Sequence, residues 1–139
     1  GEGFFASLAA LDPIPRCAEV WRKMLAIEQV TTQALLSAAQ ALGVASRDPQ
    51  ALRAEGAAEA DDWRALGWHG ALLVMRDEFP VYLTEFGGLL AQTPPAYAPL
   101  VDLLIRHELA FIDFAKAELA GQADSMDVLD DYLVWARAT

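Results

Sequence analysis

Two glutamates stand where helical periodicity asks for leucine. Glu28 lies inside "MLAIEQVTTQALL", and Glu108, with His107 beside it, lies inside "LLIRHELAFIDF". At about 100° per residue, Val20, Trp21, Met24, Leu25, Leu35 and Leu42 fall on one side of the first helix. Glu28 projects among them, while Arg16, Glu19, Arg22, Lys23, Gln29, Gln33 and Gln40 lie opposite. In the second stretch Val101, Leu104, Ile105, Phe111, Ile112, Ala115 and Leu119 define the apolar face, and Asp102, Arg106, Asp113 and Lys116 the wet one. Glu108 falls near the middle of that apolar arc, one turn from Leu104 and Ile112. His107 lies towards its edge, on the line of Leu104, Phe111 and Phe114.

An unpaired carboxylate in such a place costs several kcal/mol, so it must be paired, protonated or bound to a metal. Two such costs are a large share of a domain's total stability of about 5–15 kcal/mol. Three kinds of chemistry follow. The glutamates form structural pairs, with Arg22 or Arg76 as partners, which is the commoner fate of one such residue. Alternatively, one glutamate is kept protonated by its apolar setting and acts as a general acid, with His107 accepting protons. In the third, both are metal ligands and the reaction is redox or metal-assisted. In the second and third readings Glu28 and Glu108 face one another across a core, with His107 and either His69 or Glu85 beside them.

The elements that would position these groups are helices. Pro13 and Pro15 open the first, over roughly 15–42, and Gly43 closes it. Residues 1–14 read as an irregular lead-in. Ser46 or Asp48 caps a second helical region with Pro49 at its first position. Gly56, Gly67 and Gly70 weaken that region, and a break near "GWHG" is expected. Pro80 ends it, and "PVYLTEFGGLLAQ" forms a third helix. "TPPAYAP" is a loop. A fourth helix runs from about Pro99 to Ala120 with Gly121 as its C-cap, and "DSMDVLDDYLVWARA" is a shorter fifth, led by Asp124 or Ser125. Nothing alternates for long enough to argue a strand. The expectation is a single all-α domain, an up-and-down four-helix bundle with a short additional C-terminal helix.

At this point the chain resembles the ferritin-like superfamily, whose bundles place a Glu on two helices and a Glu-x-x-His on the other two. Glu28 and Glu85 match the lone glutamates, and His69 and His107 fall on the second and fourth helices. Both Glu-x-x-His motifs are missing, since Leu66 and Leu104 stand three residues before the histidines. The resemblance implies a metal site of Glu28, Glu108, His107, His69 and Glu85, holding iron or manganese. Asp62 and His69 also have the Asp-x6-His spacing of related helical oxygenase-like folds.

Composition bounds the partners. The chain has 139 residues and a formal charge of −10, from 20 acids against 10 bases. Such a field repels phosphate backbones, so neither nucleic acid nor an anionic membrane is an expected partner. Residues 29–46 are uncharged but interrupted by Gln, Thr and Ser, which marks an amphipathic helix and no membrane span. Cys17 is the only cysteine, which precludes an internal disulfide and fits a reducing cytoplasm. It is read as a buried structural thiol near a helix start. The opening "GEGFFASLAALDPIP" lacks the positive n-region of a signal peptide. Trp21, Trp63, Trp68, Trp135, Phe79, Tyr82 and Phe86 fill a core or wall a small-molecule pocket. Gly87 and Gly88 permit close helix packing. A different class of function is a non-catalytic interaction or homodimerisation module, in which Leu129, Tyr132, Leu133 and Ala136 of the last helix dock on a partner.

Overall fold

A computed structural model describes residues 1–139, and every regular element in it is an α-helix: α1 (Glu2–Leu11), α2 (Pro15–Ala41), α3 (Pro49–Asp77), α4 (Pro80–Leu90), α5 (Ala98–Leu119) and α6 (Asp127–Ala138). The chain divides into two compact units, Gly1–Gly70 and Ala71–Thr139. No linker marks the boundary, because it falls inside α3. That helix is broken just before, at Gly67, whose φ of 68° and ψ of 176° are not helical. A positive φ is cheap only for glycine. No helix is long and apolar enough to cross a membrane.

The first unit corrects the reading of residues 1–14. They are not irregular, because Glu2–Leu11 is helical and buries Phe4, Phe5 and Leu8. A ten-residue helix does not hold alone in water. Burial of those three side chains, worth roughly 1.5–3 kcal/mol each, supplies what its length does not. Their partners are on α2, where Cys17, Val20, Met24, Ile27 and Thr31 recur at alternating steps of three and four and are all buried. Phe4 meets Phe5 and Trp63 edge to face, both at 4.9 Å, Phe5 stacks near Trp21 at 6.0 Å, and Trp21 meets Trp68 at 5.1 Å. The aromatic residues therefore fill this core. Asp12 closes the turn between α1 and α2, accepting from the Ile14 backbone N–H (2.9 Å) and from the Trp21 indole N–H (2.9 Å). Gly43 (φ 66°) ends α2 in the left-handed conformation. Asp48, not Ser46, caps α3, accepting from the Gln50 N–H at 3.0 Å.

In the second unit α5 is the central helix and buries most of its circumference, from Val101 to Ala117. Gly121 (φ 71°) closes it, with Gly121 N–H donating to Glu118 O and Gln122 N–H to Ala117 O. That paired pattern satisfies carbonyls the helix end would otherwise leave open. α6 lies along α5 and buries Leu129, Tyr132 and Leu133, and the Tyr132 hydroxyl donates to Leu103 O at 3.3 Å. The stripe expected to dock on a partner is thus spent inside the protein's own second unit. Ser125 is not a helix cap either. Met126 holds that position, and the buried Ser125 hydroxyl donates to Glu118 at 2.5 Å. α4 packs on α5 through its half-buried line of Phe79, Leu83, Phe86 and Leu90, with Phe79 6.4 Å from Phe111.

Candidate functional site

The candidate residues are distributed over both units: Glu28 and His69 in the first, and Glu85, His107 and Glu108 in the second.

His107 is the most enclosed of them, 5% exposed. It belongs to the seam Leu103, His107, Ala110, Phe114 and Ala117, whose alternating steps of four and three turn one face of α5 inward. Its imidazole meets Phe111 edge to face at 4.6 Å and lies 6.2 Å from the Tyr132 ring. This reverses the sequence-based ranking. His107 is in the middle of the buried arc, and Glu108, one residue or 100° further on, is half-buried. Around them the wet side of α5 is conventional. Arg106 donates to Asp102 at 2.8 Å and lies over the Trp135 ring at 4.6 Å, and Lys116 pairs with Asp113 at 3.2 Å.

Glu28 is also half-buried, one turn from both Met24 and Thr31. Its carboxylate lies against Gly1, so closely that a Cβ on that glycine would overlap it. Gly1 is the N-cap of α1 and has no side chain with which to cap the helix. A helix start presents unpaired N–H groups and the positive end of the helix dipole. The carboxylate therefore stands where an anion is favourable, which accounts for a glutamate on the inner side of α2. Glu28→Gln is expected to lower stability by about 0.5–1.5 kcal/mol, since a partly buried anion at a helix start is worth up to about 2 kcal/mol. Urea denaturation followed by tryptophan fluorescence reads this loss. A gain would instead mark Glu28 as a strained carboxyl group.

The remaining candidates are at the surface. His69 and Asp62 are both exposed, and the Gly67 break falls between them, so their two-turn spacing does not line up one helical face. Glu85 is exposed on α4. Arg76 forks onto Asp77, with both bonds at 2.6 Å, and that bonding holds the Asp77 carboxyl below the ordinary carboxylate range. In neither unit do three His, Cys, Asp or Glu side chains gather as a metal site requires. The residues within each unit thus do not fit the iron or manganese that the resemblance implies. Cys17 is buried, as expected of a structural thiol.

Two features had little signal in the sequence. One is a cleft of about 360 Å³ in the first unit, lined by residues that include Thr32, Leu36, Leu52, Glu2, Arg53 and Glu59, and by none of the five candidates. The other is α4, an apolar helix without a single buried residue. The chain matches no protein-family model, no curated protein and no solved structure. What defines it is therefore its all-helical fold and its own surfaces.

Proposed function

We propose that this protein is a helical interaction module that docks through α4. The observation that carries this reading is the exposure of α4. Its sequence, "PVYLTEFGGLL", is that of an inward-facing helix, yet Val81 is 52% exposed, Leu89 48% and Tyr82 41%. Isolated exposed leucines are ordinary, but three large apolar groups on one side of one helix form a contiguous patch, and such patches mark contact sites. From Phe79 to Val101 the only charge is Glu85, although the chain as a whole carries −10. The ridge of Tyr82 stacked near Phe86 (6.5 Å), with Phe79 at 5.8 Å from Tyr82, gives the patch rigid aromatic edges.

A docking face contributes little to its own fold. The double variant Val81→Asp/Leu89→Asp is therefore expected to keep the wild-type helical signal and unfold within about 0.5 kcal/mol of wild type, as surface substitutions do. A loss of about 2 kcal/mol or more, the size seen when core residues are removed, would make α4 a structural element and end this reading. Circular dichroism with chemical denaturation measures both.

A second reading keeps the acid–base chemistry and places it at His107 and Glu108. The burial of His107 favours it, and the stability of His107→Leu tests it.

A further inference from the structure

We infer that the cleft of the first unit binds a primary amine carrying an apolar chain, with the ammonium group at Glu59. This site lies in the other unit from α4 and stands apart from the docking reading.

The walls of the cleft are the first support. Thr32 and Leu36 line it from α2, and Pro49, Leu52, Gly56 and Glu59 from α3. Steps of three and four put those α3 residues on one line of the helix, which runs from apolar to acidic. Leu36, Pro49 and Leu52 are nearest the connection between the two helices, and Thr32 and Glu59 lie farthest from it along the chain. One end of the cleft is therefore hydrocarbon, and the other carries a hydroxyl and a carboxylate. Beside it α1 seats on α3 backbone to backbone, because a Cβ on Gly3 would overlap the Arg53 carbonyl, so this wall is formed before any ligand arrives. A volume of about 360 Å³ is at the lower end for small-molecule sites and suits a ligand of modest size. Leu36 and Leu52 are 40% and 41% exposed, so an apolar chain laid over them covers surface that the fold leaves wet.

Charge is the second support, and it selects the ligand. The carboxylates of Glu2, Glu55 and Glu59 line the cleft, against the one guanidinium of Arg53. Arg53 is already bonded to Glu2 at 3.3 Å, and Glu55 holds Arg47 at 2.6 Å. Glu59 is in no ion pair and no hydrogen bond. The Glu28 carboxylate, which lies against Gly1, is spent on the start of α1. What is left over in the cleft is thus negative, in a chain of −10. An anion would have to displace Glu2 from Arg53 against that field, whereas a cation meets an open carboxylate. A bare metal or inorganic cation gains nothing from Leu36 and Leu52, and a neutral hydrocarbon gains nothing from Glu59. An ammonium group on an apolar chain uses both. Because Glu59 is exposed, water screens it, and its part is selectivity more than strength.

Titration of n-octylammonium into the 139-residue chain, followed by calorimetry and amide chemical shifts, tests this. The expected result is binding at one site, with shifts centred on Thr32, Leu36, Leu52, Gly56 and Glu59. Affinity should rise about two- to fourfold per methylene from butylammonium to octylammonium as each is taken out of water. Octanoate, the same chain with the opposite charge, should bind about tenfold more weakly. Glu59→Gln should weaken octylammonium about three- to fivefold and narrow the gap to octanoate. It should leave unfolding unchanged, because the side chain is exposed and unpaired, so a loss of binding is not a folding artefact. Glu85→Gln removes the same charge from the second unit and should leave binding as it is. Absence of binding at millimolar octylammonium overturns the inference, and so does equal binding of octanoate or an unchanged affinity in Glu59→Gln. Equal binding of methylammonium also overturns it, since an acidic surface without a pocket would then suffice. None of these outcomes bears on α4, whose test is the stability of Val81→Asp/Leu89→Asp.

Discussion

Gly3→Ala should lower stability by about 2–3 kcal/mol, towards the upper end of the range for overpacking a close contact. At this chain length the corresponding drop in melting temperature is about 10 °C. The cause is local and has no soft side. A Cβ on Gly3 would overlap the carbonyl oxygen, carbonyl carbon and Cα of Arg53, so backbone and not a flexible side-chain tip is in the way. Gly56 stands one turn along α3 from Arg53 and faces Phe4, so the crossing of α1 and α3 is a glycine contact from both sides. Relief requires α1 to move off α3, which would expose part of Phe4, Phe5 and Leu8 and break the edge-to-face contact between Phe4 and Trp63. Urea titration reads the loss. Hydrogen exchange places it, since amides of α1 should lose protection before those of α5. The same substitution at Gly88 should have the opposite sign, because nothing opposes its Cβ within the chain. A Gly3→Ala variant as stable as wild type would mean that α1 does not seat on α3 at this point.

The helix limits were readable because their determinants are local. Pro15, Pro49 and Pro80 each stand at the first position of a helix, and Gly43 and Gly121 each end one at positive φ. α1 was missed because its cause is not local. Ten residues with one charge and no capping side chain form a helix by packing Phe4, Phe5 and Leu8 against α2. The boundary between the two units lies inside a helix, so no Pro- or Ser-rich linker marks it in the sequence. The exchange of His107 and Glu108 has a geometric origin. A helical wheel assumes one buried face, whereas α5 buries residues on most of its circumference, and Leu104 and Ile105, which anchored the expected face, are only half-buried. On so wide an arc, hydrophobic pattern cannot rank two neighbouring residues. The α4 surface was read as ordinary packing for a related reason: an apolar helix has the same pattern whether its partner is within the chain or outside it.

His107→Ala should cost about 2–3 kcal/mol, within the range for truncating a large core side chain, and His107→Leu should recover most of that loss. The imidazole fills a site bounded by Phe111 at 4.6 Å and Tyr132 at 6.2 Å, on a seam whose other members are leucine, alanine and phenylalanine. Removing it to Cβ leaves a void that rigid aromatic neighbours close only in part. Tyr132 is held by its bond to Leu103 O, so its ring cannot readily swing into the space. Leucine restores apolar volume but forfeits the polar interactions of the imidazole, worth about 0.5–1.5 kcal/mol net for a typical hydrogen bond. His107→Leu is therefore expected to unfold within about 1–1.5 kcal/mol of wild type, on the unstable side. The sign of that number separates the two functions. A residue kept for packing loses stability when replaced, whereas a polar group kept for chemistry in an apolar place commonly costs the fold something, and its removal stabilises. If His107→Leu gains more than about 1 kcal/mol, the burial of His107 is a strain retained for function, and the acid–base reading displaces the docking one. If it loses, His107 is part of the core that holds α5 and α6 together, and α5 serves as the rigid base on which α4 is displayed.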